Sequence, residues 1–412
     1  MNFVNKIIVS DFRSSSNNNH FAYLNGLRGL AASIVVIFHF LMVFYPATVN
    51  GNPKISHIPV DVWLYNSPFG FFYNGRFAVS IFFVLSGYVL TKSYFINKDK
   101  EILIKRLLAR YPRLFIPSVV SMLFAFVLLQ SGAYQIFHLN NGASEIFNYS
   151  ERLSFNHPVL YTLNSIFLGI FFGDYETEQI LNTVLWTMGI EFKGSLLVLS
   201  AAFFIDNIKY KNLIVGVIAV LVTVFYQRDG IHYAAFLLGM LFASNNIKSR
   251  SNNYWLLSLF IPGLYLGGYF YKSESYLLFT HFLTMKKVID ISHFYSDIPS
   301  ELSIDYFYYT LGAIITVYCT LKCVWLQKIF ASGILMYLGK ISFSLYLMHQ
   351  PIINSLCAWI VLIGVGNYHL SVLVAFITMI VLSWLIAHFM TQTVDKFSIN
   401  TSKALAKVLI NS

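Results

Sequence analysis

Apolar runs long enough to cross a hydrocarbon core of about 30 Å recur along the chain from Leu30 to Phe389. They begin near residues 29, 77, 114, 184, 212, 231, 254, 305, 341 and 369, and a further, shorter run extends from Leu160 to Phe172. The pattern predicts an all-α integral membrane protein, a bundle of about ten transmembrane helices. The segments at 212 and 231 are short for full spans and are joined only by QRDG, which predicts a tight helical pair. One membrane domain is expected over residues 25–395, between an N-terminal tail at 1–24 and a C-terminal tail at 396–412.

The polar positions between these runs set the orientation. Lys98, Lys100, Lys105, Arg106, Arg110 and Arg113 lie between the second and third runs, a basic loop expected on the cytoplasmic side. The N-terminus, one helix pair earlier, is then inside as well. Counting Leu160–Phe172 as a span would put Lys209 and Lys211 outside and Asp174, Glu176 and Glu178 inside, against the charge rule. That run is therefore expected to be re-entrant or interfacial. With it so placed, Lys248/Arg250, Lys322/Lys328 and Lys396/Lys403/Lys407 all fall inside, and both tails are cytoplasmic.

Composition narrows the function classes. At 57% hydrophobic and 11% charged, the chain has too little polar side chain to cover a soluble surface. The formal net charge of +10 comes from residues in the short inter-helical segments, where it orients the protein rather than binding nucleic acid. The first twenty residues carry SSSNNN and no secretory pattern, so the first helix is expected to direct insertion. Cys319, Cys323 and Cys357 are odd in number and sit in apolar segments, which reads as small core residues rather than a disulfide or thiolate site. The eleven histidines show no HExxH spacing, and no metal is expected.

A polar side chain inside a membrane helix costs several kcal/mol unless it faces the bundle interior or a wet cavity, so each is a site candidate. Arg28 and His39 are eleven residues apart, about 20° from the same helix face with a rise of roughly 16 Å. Arg28 falls at the cytoplasmic mouth, where a permanent cation suits phosphate, and His39 lies deep, where an imidazole can move a proton. The competing reading makes Arg28 an interfacial anchor and His39 a satisfied interhelical histidine. Ser86 and Gly87 sit near mid-depth in GRFAVSIFFVLSGYVL, as packing residues or as room for a substrate chain; Ser86 as a nucleophile lacks a visible triad. LWTMGIEFKGSLL carries Glu191 some 10 Å deep with Trp186 at the interface. Glu191 is expected to orient a histidine, bind a sugar hydroxyl or pair with a buried cation such as Lys193. His349, in GKISFSLYLMHQPI, is also near mid-depth and precedes a proline that can kink the helix. Asp305 and the outer loop from Lys272 to Ile304 carry no assignable pattern.

In order, LNGLRGLAASIVVIFHF, FAVSIFFVLSGYVL, KRLLARYPRLFIP, LWTMGIEF and GKISFSLYLMHQPI resemble the motifs of the acyltransferase family 3 of membrane proteins, over almost the whole chain. Bacterial members of that family O-acylate lipopolysaccharide, capsule and exopolysaccharide. The resemblance implies a cytoplasmic acyl-coenzyme A donor, commonly acetyl-CoA, and a carbohydrate or lipid-linked glycan acceptor modified toward the outer side of a bacterial inner membrane. Arg28 and His39 match its Arg-x10-His pair, and Arg110 and Arg113 its Arg-x-x-Arg element. The esterase domain fused to some relatives does not follow the last helix here, so an envelope-assembly partner protein is a further expectation. In the working mechanism built on this, Arg28, Arg110 and Arg113 bind donor phosphates and His39 is the general base. Glu191 and His349 are alternatives for orienting that base or binding the acceptor, Glu191 being the second catalytic candidate, and Ser86, Trp186 and His349 are the candidates for binding or orienting substrate. A ping-pong route through an acylated residue is the mechanistic alternative. A transporter or flippase for a lipid-linked glycan is the rival from another class, disfavoured because no half-to-half repeat of the Arg28/His39 helix is visible.

Overall fold

A computed structural model of the chain describes residues 21–139, 158–173, 181–206, 208–226, 229–245, 247, 254–279, 300–364 and 366–411. Among the described residues every regular element is helical. The helices of fourteen residues or more are numbered α1 Ala22–Phe44, α2 Gly75–Asn97, α3 Lys100–Gln130, α4 Trp186–Ile205, α5 Lys211–Phe225, α6 Gly230–Ser244, α7 Tyr254–Gly267, α8 Ser300–Lys322, α9 Gly333–Ile352, α10 Tyr368–Met390 and α11 Lys396–Asn411.

Among the described residues six stretches are long and apolar enough to cross a membrane: Ala22–Phe44, Gly75–Asn97, Lys100–Gln130, Thr183–Ile205, Gly333–Ile363 and Tyr368–Ile410. The protein is thus a multi-pass helical membrane protein. The apolar helices α5, α6 and α7 have 15, 15 and 14 residues, about 22 Å each and short of the usual 30 Å. The ambiguous run is shorter again, an apolar helix over Thr162–Phe172 interrupted by a π-turn at Ser165–Gly169. The charges at Asp174, Glu176, Glu178, Lys248 and Arg250 lie outside the described residues.

The basic segment expected as a loop is helical. Only Lys98, at φ 57°, and Asp99 separate α2 from α3. The Asp99 carboxylate accepts from Glu101 N at 2.9 Å and caps the new helix, and Glu101 pairs with Lys105 one turn on at 2.8 Å. With those start signals α3 runs for 31 residues, through Pro112 and Pro117, and delivers Arg106, Arg110 and Arg113 from a rigid rod. The stretch from residue 396, expected as a tail, is helix α11. It lies against α3, where Ser398 Oγ donates to Arg113 O at 3.0 Å.

Two contacts between small residues place the site. α1 and α9 pack in parallel so closely that a Cβ on Gly339 would stand 1.9 Å from Asn25 O. α2 meets α6 in the same way, a Cβ on Gly87 falling 2.0 Å from Phe236 O. The first contact brings the His39 helix against the His349 helix; the second sets α2 so that Ser86, about 100° round the helix from Gly87, faces Glu191. Close approach through small residues is the usual means of joining helices in lipid, where apolar burial gives little drive.

Candidate active site

Parallel packing of α1 on α9 puts His39 and His349 side by side, with ring centroids 5.0 Å apart. His349 Nδ1 lies 3.1 Å from Leu345 O, and its Nε2 lies 3.0 Å from His39 Nδ1, which is also 3.0 Å from Val35 O. A carbonyl oxygen only accepts, so the hydrogen-bond partners assign the protons. His349 carries its hydrogen on Nδ1 and accepts at Nε2. His39 Nδ1 therefore donates, shared between His349 and Val35. In the neutral pair, His39 Nε2 is left with a free lone pair.

The other polar groups gather in a cavity of about 160 Å³ between α1, α2, α3, α4 and α9. Arg28, Arg110 and Arg113 line it at one end, with Ser86 and Glu191 beside them; Phe82, Phe83, Thr187, Met188 and Tyr346 line it toward the other. Glu191 forms an ion pair with Arg110 and accepts from Ser86 Oγ at 2.7 Å. Its partner is thus neither Lys193 nor a histidine. Arg110 Nε also donates to Ser195 Oγ at 2.7 Å. Arg113 pairs with Asp395, at the head of α11, and lies over the Phe343 ring at 5.4 Å. Arg28 has no ion pair among the described residues, so three guanidiniums face two carboxylates and one positive charge is left over.

The sequence candidates thus fall into two groups rather than one constellation. His39 and His349 form the first; Arg28, Arg110, Arg113, Ser86 and Glu191 form the second. Tyr346 stands between them. Its ring borders the cavity and lies 6.0 Å from His349, while its hydroxyl is held by Thr187 Oγ1 at 2.8 Å and Val184 O at 2.9 Å. Trp186 belongs to neither group: it lies 5.8 Å from the buried ring of His232, which also packs on Phe83. Ser195, Asp395, Tyr346 and Thr187 were not singled out by sequence reasoning. Ser195 had a signal, lying four residues after Glu191 on the same helix face; Asp395 and Tyr346 had none.

The fold and site define a polytopic helical membrane protein with a cationic cavity next to a buried histidine pair. Residues 21–388 match the family model described as "Acyltransferase domain", and the chain belongs to that family: it is a membrane acyltransferase. It is also similar to the O-acetyltransferase PaAT-1 of Phomopsis amygdali, 25% identical over 441 residues that cover 93% of this chain and 84% of the relative. No solved structure matches the chain.

Proposed function

We propose that the protein transfers an acyl group, acetyl above all, from cytoplasmic acyl-coenzyme A to a hydroxyl of an envelope or exported carbohydrate such as O-antigen, capsule or exopolysaccharide. The observation that carries this reading is the pairing of a cationic cavity with an imidazole whose Nε2 is free. Arg28, Arg110 and Arg113 attract the donor's phosphates, and guanidinium forks suit phosphate oxygens. The thioester arm follows the α2 face past Leu90, Ser86 and Phe82 toward Tyr346. His39 Nε2 takes the proton of the acceptor hydroxyl as its oxygen attacks the thioester carbonyl. Collapse of the adduct expels the thiolate, which receives that proton from His39. His349 holds His39 in the tautomer this requires. Glu191 and Ser86 keep Arg110 extended into the cavity, and Trp186 orients the acceptor at the outer end.

The same reading takes the shorter helices as completing ten crossings of a bacterial inner membrane, with both termini in the cytoplasm and the basic start of α3 beside the donor's entrance. Similarity to an O-acetyltransferase supports the oxygen acceptor and the acetyl group. A lipid-linked glycan is a fitting form of the acceptor, presented from the outer leaflet with or without an assembly partner.

The test is mass spectrometry of envelope polysaccharide from cells with wild type, His39→Ala or no protein, at matched membrane levels. Loss of one acyl mass in both the null and His39→Ala cells is expected and names the group. An unchanged acyl pattern with altered amounts of surface glycan would overturn the reading.

A further inference from the structure

The cavity changes character along its length, and the change bears on which acyl group it takes. On α2 its lining runs from Leu90 through Ser86 to Val79, a rise of roughly 16 Å. The three arginines mark one end. Beyond Ser86 the lining is Phe82, Phe83 and Val79 from α2, Thr187 and Met188 from α4 and Tyr346 from α9. These are large and mostly buried side chains: Phe83, Thr187, Met188 and Tyr346 are all below a tenth exposed.

Tyr346 closes this end. Its hydroxyl has two partners, Thr187 Oγ1 and Val184 O, both on or at the start of α4, so swinging the ring aside costs the buried hydroxyl both of its hydrogen bonds. Phe82 meets the ring edge-on at 6.3 Å. Behind it lies the histidine pair. An acyl chain entering from the arginine end therefore stops against Tyr346, and it must fit between Tyr346, Phe82 and Met188.

We infer that Phe82, Met188 and the pinned Tyr346 form an acyl-length stop that admits two- or three-carbon acyl groups and excludes longer ones. This rests on the donor reading given above and goes beyond it by assigning the residues that set the donor class. A wall of fixed rings discriminates by volume, and one added methylene in such a pocket changes kcat/KM by about tenfold or more.

The experiment uses the full-length protein in nanodiscs, with acetyl-, butyryl- and hexanoyl-CoA as donors and release of free thiol as the readout, in the presence of membranes carrying the acceptor. Wild type is expected to prefer acetyl over butyryl by at least about tenfold. Phe82→Ala is expected to raise the butyryl-to-acetyl ratio of kcat/KM by about tenfold, and Tyr346→Phe, which keeps the ring but releases its two hydrogen bonds, to raise it less. Met188→Ala supplies the same measurement if Phe82→Ala does not reach the membrane. Equal use of all three donors by wild type, or unchanged ratios in folded variants that still transfer acetyl, would overturn the stop and leave the acyltransferase reading standing. Failure of wild type to release thiol from any of the three would overturn the donor reading and the stop with it.

Discussion

The two histidines differ in what each must supply, and substitutions separate them. His39 is expected to lose about 10²–10⁴-fold in rate on change to Ala, the usual worth of a general base, with the membrane level of the protein unchanged. His349 acts through a single acceptor, Nε2. His349→Gln offers a carbonyl oxygen in its place, whereas His349→Leu offers nothing. The two variants are expected to differ about tenfold in transfer rate, the worth of one hydrogen bond near 1.4 kcal/mol, and equal rates would remove the tautomer argument. Glu191→Gln makes a different kind of change. Arg110 and Glu191 keep side-chain exposures of 14% and 12%, so cutting the pair strands a cation in a largely dry site. The expected loss is about 3 kcal/mol of stability, read as a lowered midpoint of thermal unfolding in detergent. Part of this was legible from residue type and depth alone: Arg28 and Glu191 line the cavity, and His39 and His349 pair with each other next to Tyr346. Their partners were not, because depth along a helix is written in the sequence while the helix it faces is not. Glu191 found Arg110 on α3 rather than Lys193 on its own helix.

Among the elements, α1 and α9 carry the site because their backbones nearly touch. Gly339→Val is expected to push the helices apart, since even its Cβ would lie 1.9 Å from Asn25 O. Overpacking of this kind costs about 1–3 kcal/mol and here also separates His39 from His349, so transfer should fall further than stability. Gly216→Ala in α5, where an added Cβ meets nothing within 4 Å, is the matched control and is expected to be neutral or stabilising by up to about 1 kcal/mol. Equal losses in the two variants, measured as activity per folded protein, would sink the argument. The long apolar helices were evident from hydropathy, but their ends were less so. Charge density suggested a loop over residues 98–113, and the Asp99 cap with the Glu101–Lys105 pair made it helix instead. The residues after 395 read as a tail because they are polar, yet Ser398, Ser402 and Ala406 bury one small-residue face.

For the whole molecule, sidedness is the property the proposed reaction depends on. Cys319, Cys323 and Cys357 are all buried, so single cysteines can be introduced on the native background with little competing signal. A thiol reagent that does not cross membranes is expected to label Lys54→Cys in intact cells and Lys105→Cys only after the cells are opened. The reverse pattern would invert the proposed topology. Helical class and membrane character followed from composition and pattern, because lipid leaves few architectures open to a backbone that must satisfy its own hydrogen bonds. The division of the polar groups into two neighbouring clusters did not follow, since it depends on which helices touch.

The contact between α1 and α9 also has a bearing on the history of each molecule. His39 and His349 are separated by 310 positions in the chain. At a synthesis rate of about 5–20 residues per second, the first histidine enters the membrane roughly 15–60 s before its partner has been made. Through that interval the nascent chain has the cationic helix end and the base but no neighbour to hold the ring in its working tautomer. On the proposed mechanism, newly made protein is therefore without the partner that orients its base until nearly the whole chain has been made, and a ribosome that stalls midway leaves a fragment without that pair.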